Sequence, residues 1–509
     1  EWTFYFLSSV QFNFTIGVII ILVIICIILN KNFRISKLSI KSRTFWVLMS
    51  IIVFGSSLIW NKPNTVGNKL VTNLIQDPMF WDQTRGAEQH GPLIQFLRNV
   101  DMSIMSKPTD YSEQKIGYIT KKYKNVAAEV NKNRQHYLKN QTIIFNLSES
   151  SADPRRVPNV SLSNNPVPFI DNLKRKTTSG LMMSSGYGGG TANMEYMTLT
   201  GLATCNFSPT LNSPYSQLVP HQTYTPTVLN SFDYSVAIHP YTSEFYNRKL
   251  NYKKFGFDRF YSLDNKKYPI KHKKIIDNNE YQSDDTAYDN LMDELKNYHK
   301  GQFINLITMQ NHMPYDHLYK QKAITAKVGN HTSKQELENY ATGIHYTDKA
   351  VTKAINKIND IPRPITLVFY GDHLPGIYKN DMKKDGLALH KTDYFIYSNK
   401  AAKKQGAQPL KGHTKYVAPN DFIAMVLKQT NSKVTPYQAL LTKVWQELPT
   451  FSVDSTGTTS NPQFINQKGK KVKYSSFTTK QKKLWHDYLL VQYDLTAGKN
   501  FVKNTGMMK

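Results

Sequence analysis

The sequence predicts an α/β fold, a mostly parallel sheet with helices on both faces, preceded by transmembrane helices. Three observations carry this. Short apolar runs at 142–147, 234–238, 303–308 and 365–370 alternate with helix-period segments between about 141 and 430, the pattern of strands buried on both faces. Each run stops at polar side chains: Ser148-Glu149-Ser150, His239, Gln310-Asn311-His312 and Gly371-Asp372-His373. Open α/β sheets bind their ligands at such strand ends, and an acid beside an imidazole at Asp372-His373 points to metal chemistry. The third observation lies near the start, where residues 10–29 include an uncharged stretch from 16 to 29. A bilayer core needs roughly 20 apolar residues to be crossed.

The elements follow in order. A second apolar segment at 44–60 is shorter and carries Ser and Gly. Between the two, residues 31–43 hold Lys31, Arg34, Lys37, Lys41 and Arg43 without an acid. A short basic loop stays on the cytoplasmic side, so residues 1–62 read as transmembrane helices and everything after them as extracellular. Residues 63–136 read as a juxtamembrane helical connector, with helical pieces near 69–75 and 92–105 and a turn at Lys107-Pro108. Residues 137–430 form the catalytic domain. Residues 431–509 form a C-terminal subdomain, with a hairpin at 463–474 and an apolar-periodic helix from 479 to about 493.

Across 509 residues the formal net charge is +27. In an intracellular chain that would make nucleic acid the leading partner. Outside the cell the same charge faces an anionic membrane surface and anionic wall polymers, and no nucleic acid is expected. Of two cysteines, Cys26 falls in the first apolar segment and Cys205 in the outer domain, so there is no disulfide framework. An extracellular domain without one suits a Gram-positive bacterium.

Between the Glu149 and His239 strands lies Gly186-Tyr187-Gly188-Gly189-Gly190-Thr191. The glycines let the backbone turn tightly. Thr191 is expected as N-cap of the following helix, where backbone N–H groups and the helix dipole favour an anion. A hydroxyl there, on the same sheet edge as Glu149 and Asp372-His373, reads as a metal-activated nucleophile.

Glu149 in a Ser-Glu-Ser turn, Gly190-Thr191 with Glu195, Asn311-His312 and Tyr370-Gly371-Asp372-His373 together resemble the lipoteichoic acid synthase family, membrane phosphoglycerol transferases of the alkaline phosphatase and sulfatase superfamily. His239 with Asn247-Arg248, Ser213-Pro214-Tyr215 and the terminal Tyr493-Asp494-Leu495 extend the resemblance over nearly the whole chain. It implies a sulfatase-like fold and one divalent metal ion, typically manganese, held by Glu149, Thr191, Asp372 and His373. Such a donor set also accepts magnesium or zinc. It further implies that Thr191 attacks the phosphorus of phosphatidylglycerol, releasing diacylglycerol and leaving a glycerophospho-threonine that an acceptor hydroxyl resolves. Arg248 would clamp the phosphate, with His312 donating to it or moving a proton.

One departure bears on the substrate. Members that polymerise glycerol phosphate carry an acid and a Trp, which touch the glycerol, where this chain has Tyr241 and Tyr246; the resemblance implies that these two and His239 bind substrate. The leading expectation is lipoteichoic acid synthesis at the cell membrane, the acceptor being a teichoic acid. The alternatives are decoration of a cell-wall polysaccharide and a phosphodiesterase or phosphatase on the same fold. A sulfatase activity is disfavoured, because Cys205-Asn206-Phe207-Ser208-Pro209 lacks the pattern for a formylglycine.

Overall fold

A computed structural model describes residues 39–60, 65–74, 83–100, 103–298, 300–329, 332–378, 386–453 and 462–509. It divides into two compact units, one comprising 1–103 with 209–212 and the other 104–208 with 213–509.

In the smaller unit, helices Ile40–Ser57, Val66–Leu74, Gln83–His90 and Pro92–Val100 are described. The first begins where Ser39 accepts a hydrogen bond from the Ser42 backbone N–H at 3.2 Å, so it takes in Lys41 and Arg43. It ends at Gly55-Ser56-Ser57 and exposes Phe45, Trp46, Ile51 and Ile52. Among the described residues no helix is long and apolar enough to cross a membrane. Over the segment 44–60 the helix starts earlier, in the basic loop, and its two cations and polar end dilute the apolar stretch. The span expected at 10–29 lies outside the described residues.

The larger unit is built on an eight-stranded sheet. In chain order the strands are β1 (Thr142–Ser148), β2 (Val160–Leu162), β3 (Thr178–Met183), β4 (Ser235–Ile238), β5 (Arg259–Tyr261), β6 (Gln302–Ile307), β7 (Ala326–Val328), β8 (Ile365–Gly371), β9 (Lys391–Ser398) and β10 (Tyr416–Val417). The sheet order is β10-β3-β9-β8-β1-β6-β4-β5, while β2 and β7 pair separately. Strand β1 lies between β6 and β8 and is parallel to both. Strand β9 is antiparallel to β8 and β3, so it alone runs against the rest.

Every residue of β1, β6 and β8 is buried, as the continuous apolar runs require. Successive side chains point to opposite faces. On one face Ile144, Ile304, Leu367 and Phe369 join Leu291, Leu295, Ile344 and Val351, from helices Asp284–Asn297 and Lys334–Asp360, in one core cluster. On the other face Tyr370 packs on Phe422 of helix Phe422–Gln429 and its hydroxyl lies 3.2 Å from Thr198 of helix Thr191–Thr200. Both faces are thus covered by helices, as a parallel sheet demands.

A 20-residue helix, Glu113–Lys132, precedes the sheet, capped by Ser112. At the C-terminus β11 (Thr450–Ser452), β12 (Gln463–Ile465) and β13 (Lys471–Val472) form an antiparallel sheet. Helix Thr479–Thr496 follows, opened by a capping box between Thr478 and Gln481.

Candidate active site

The carboxyl ends of β1 and β8, adjacent in the sheet, set Glu149 beside Asp372 and His373. Ser150 adopts a left-handed φ of 50°, strained for a side-chain-bearing residue. The turn is held from behind by Tyr340 of the long helix, whose hydroxyl meets the Ser150 and Ala152 carbonyls at 2.7 Å each. At Gly371 a Cβ would sit 1.8 Å from the Ser151 carbonyl oxygen, so only glycine lets β8 close against this turn.

Asp372 is the hub. Its Oδ1 accepts from the backbone N–H of Ser150 at 2.7 Å and of His373 at 2.9 Å. Its Oδ2 accepts from the Thr191 hydroxyl at 2.7 Å and lies 3.3 Å from His373 Nε2. His373 Nδ1 lies 3.0 Å from the Leu374 carbonyl. A proton there leaves the Nε2 lone pair directed at the two acids, a common arrangement for a metal ligand. Glu149 Oε1 stands 3.6 Å from His373 Nε2 and accepts from the Ser150 hydroxyl at 2.9 Å.

Glu149, Asp372 and His373 are all buried, and among the described residues they form a group able to hold a metal ion, their ligand atoms within 4.8 Å of one another. Burial first, then the neighbouring Asp372, pushes the Glu149 carboxyl well above the usual carboxylate range. A divalent cation between two such acids would reverse that penalty. With the Thr191 hydroxyl added, three oxygen donors and one imidazole fit a hard or borderline divalent ion.

Thr191 is the first residue of its helix; the N-cap is Gly190, at φ 94°. The expected capping role is therefore corrected by one position. Glycine absorbs the left-handed turn, and the Thr191 hydroxyl bonds Asp372 instead of capping the backbone. Four residues on, Glu195 occupies the same helix face and is fully buried against Arg248. The guanidinium Nε donates to Glu195 Oε1 at 3.0 Å and Nη2 donates to the same oxygen. The Tyr252 hydroxyl and, at 3.4 Å, the Tyr215 hydroxyl donate to Oε2. One helix thus holds a hydroxyl at the metal group and, a turn later, the anchor of a buried arginine.

Arg248 was expected as a two-pronged phosphate clamp. Its Nε/Nη2 edge already faces Glu195, while Nη1 lies 3.1 Å from His239 Nε2. His239 is itself buried, with Nδ1 3.2 Å from the Ile307 carbonyl. Burial and then the Arg248 charge hold its imidazole well below the ordinary histidine pKa, so neutral His239 accepts from Arg248. Both its ring nitrogens are engaged within the protein.

The rim is aromatic. The Tyr241 ring centroid lies 5.6 Å from Phe245 and 5.6 Å from Tyr281, and Tyr281 lies 4.9 Å from His312. Tyr246, at φ 57°, stacks its ring 5.2 Å under the Arg248 guanidinium, and its hydroxyl takes a backbone hydrogen bond at Gly190. His312 Nδ1 lies 2.7 Å from the Met313 carbonyl, and burial lowers its pKa. A neutral ring with Nδ1 protonated keeps Nε2 able to take a proton.

Thr191, Glu149, Asp372 and His373 are therefore brought together, with Tyr246 linked to Gly190 and Arg248 behind it; Tyr241 and His312 meet at the rim through Tyr281. Glu195 gave a legible signal, an acid at i+4 from the candidate nucleophile. Phe245, Tyr252 and Tyr281 gave none, because only the tertiary fold brings them here.

Removing Glu195 leaves Arg248 buried without a counter-charge. Glu195→Ala is expected to destabilise the protein by about 3–5 kcal/mol, read as a lower denaturation midpoint. A rim charge pair such as Lys249–Glu244, at 3.1 Å and exposed, should cost under about 1 kcal/mol when broken.

A mostly parallel sheet thus gathers two acids, an imidazole and a helix-start hydroxyl at its carboxyl edge. The sulfatase family matches residues 141–432, more than half of the chain, and the chain belongs to that family. Streptococcus pyogenes phosphoglycerol transferase GacH, solved in complex with sn-glycerol-1-phosphate, is similar at a TM-score of 0.70 and 36% identity, covering 80% of this chain and 99% of that one. A Rhizobium meliloti (strain 1021) protein named for cyclic beta-1,2-glucan modification is 26% identical over 481 residues, 90% of this chain and 69% of that protein. Lipoteichoic acid synthase 2 of Bacillus subtilis (strain 168) is 27% identical over 177 residues, 34% of this chain and 26% of that protein.

Proposed function

We propose that this phosphoglycerol transferase moves glycerol phosphate from phosphatidylglycerol to a hydroxyl of a cell-wall polymer outside the membrane, through a glycerophospho-Thr191 intermediate. The observation that carries the reading is the Thr191 hydroxyl, 2.7 Å from Asp372 Oδ2 within the group Glu149, Asp372 and His373. A divalent ion bound by Glu149, Asp372, His373 and Thr191, manganese foremost, would lower the pKa of the Thr191 hydroxyl and offset charge on the phosphate.

In the first half-reaction the Thr191 oxygen bonds phosphorus as the bond to the diacylglycerol oxygen breaks. The Thr191 proton ends on diacylglycerol. In the second half the acceptor oxygen bonds phosphorus, the Thr191–phosphorus bond breaks, and the acceptor proton returns to Thr191. Neutral His312 at the rim is suited to carry these protons. Arg248, fixed by Glu195 and His239, places a permanent positive charge beside the phosphate site.

The acceptor we favour is a hydroxyl of a wall polysaccharide. Tyr241, Tyr246 and Tyr281 offer ring faces and phenol groups, which suit a sugar, and Tyr241 stands where polymerising synthases carry an acid. Growth of a polyglycerol phosphate chain is the second reading, favoured by the similarity to lipoteichoic acid synthase 2. Mass analysis of the product decides between them. Single glycerol phosphates on a glycan are expected; a ladder of glycerol phosphate repeats on a glycolipid would give the second reading instead.

A further inference from the structure

The segment from 264 to 283 leaves the rim of the site and returns to it. At its start Leu263 N–H donates to the Tyr241 carbonyl at 2.9 Å, and Asp264 accepts from the Ser243 backbone N–H at 2.8 Å and hydroxyl at 2.9 Å. At its end Asn279 donates to the Gln310 carbonyl at 2.9 Å and the Tyr281 hydroxyl meets the Met313 carbonyl at 3.4 Å. Both ends are thus tied to the rim, at Tyr241 and Ser243 and at Gln310 and Met313.

Between those ties the segment carries Lys266, Lys267, Lys271, Lys273 and Lys274, all exposed. Among the described residues none of the five pairs with an acid; Lys267 lies over the Tyr268 ring at 5.2 Å. No acid occurs from 266 to 275. His272 pairs with Asp293, and the flanking acids are Asp264, held by Ser243 and Ser262, Asp277, which accepts from the Lys320 backbone N–H at 3.0 Å, and exposed Glu280. Directly after the lysines Ile275 is 48% exposed, and Met313 beside His312 is 43% exposed.

We infer that this rim segment docks the mouth of the active site onto an anionic lipid surface, the five lysines meeting headgroup phosphates and Ile275 and Met313 entering the interface. The inference rests on the proposed function, because a donor held in a bilayer must reach Thr191 with its headgroup first. Lysines near an anionic leaflet are each worth a measurable gain in binding, and apolar side chains beside them add burial at the headgroup boundary. A polyanionic polymer in solution would engage the lysines equally but gives no reason for two large apolar side chains at the same rim.

The test compares the full chain, in a neutral detergent, with its variant carrying Lys→Gln at 266, 267, 271, 273 and 274. Donor is supplied as phosphatidylglycerol in phosphatidylcholine vesicles or as monomeric dihexanoyl phosphatidylglycerol. The variant is expected to lose about tenfold or more in kcat/KM on vesicles while keeping its rate on the monomeric donor. Added salt should depress vesicle turnover of the unsubstituted chain much more than that of the variant. Ile275→Ser should lower vesicle turnover alone, with the monomeric donor unaffected. Unchanged vesicle turnover in the variant, or equal loss on both donors, would overturn the inference. So would a raised KM for a polysaccharide acceptor with vesicle turnover intact, which would assign the lysines to the polymer. If the unsubstituted chain transferred from neither donor, the proposed function would fall, and co-flotation with the same vesicles would still decide docking: weaker flotation of the variant supports it, and equal flotation refutes it.

Discussion

Thr191→Ala is expected to abolish transfer, lowering diacylglycerol release by at least about a thousandfold, as losses of a nucleophile do. The fold survives, because the hydroxyl makes one hydrogen bond, to Asp372, worth about 1 kcal/mol. Gly190, the true N-cap, is untouched, so the helix start and the Glu195–Arg248 pair a turn later stay in place. Thr191→Ser keeps a hydroxyl at the same atom and is expected to retain part of the activity. Circular dichroism and the denaturation midpoint measured with the rate separate loss of chemistry from loss of structure. An alanine variant that still released most of the diacylglycerol would exclude Thr191 as nucleophile.

The second large effect concerns the metal group. Asp372→Asn preserves the acceptor for the Ser150 and His373 backbone N–H groups but removes one of two buried charges facing His373. Metal stoichiometry and transfer are expected to fall together, because the ligands act as a unit. A readout independent of turnover is thermal: an ion at about 100-fold its dissociation constant stabilises the native state by about 2.7 kcal/mol, and that gain should vanish in the variant and after chelation of the unsubstituted protein. Affinity should also weaken as pH falls, since both carboxylates must be ionised and His373 neutral to bind. Undiminished metal content and thermal gain in Asp372→Asn would show that the ion is held elsewhere.

The catalytic sheet was legible where burial on both faces leaves unbroken apolar runs. The runs at 142–147 and 365–370 became Thr142–Ser148 and Ile365–Gly371, and the side chains just past them are those that meet. Strand β3, Thr178–Met183, was not legible, since Ser179 and Gly180 interrupt its apolar pattern. At Gly180 a Cβ would meet the Thr414 carbonyl oxygen at 2.0 Å, so the interruption reflects close packing of β10. Helix Glu113–Lys132 was missed because most of its residues are polar and its apolar contacts, Ile116, Ile119 and Tyr123, are sparse.

At the site, residues joined by local geometry could be read and residues joined only by tertiary contact could not. Asp372 and His373 are neighbours in sequence, and Glu149 follows an adjacent strand. Arg248, by contrast, meets Glu195 across 53 residues of chain. Nothing local indicates that Glu195 takes the bidentate edge expected for phosphate, or that both nitrogens of His239 are already engaged. The same holds for the rim: Tyr241 was singled out, but Tyr281, which bridges it to His312, lies on the return of the lysine-rich segment.

The proposed reaction passes through a covalent glycerophospho-Thr191, which can be trapped. The full chain is incubated with phosphatidylglycerol and manganese without acceptor, quenched, digested and analysed by mass spectrometry. One glycerophosphoryl group on the peptide containing Thr191 is predicted, appearing in step with diacylglycerol release and lost when an acceptor glycan is added. Diacylglycerol release with no modified peptide, or with the group on another residue, would contradict it.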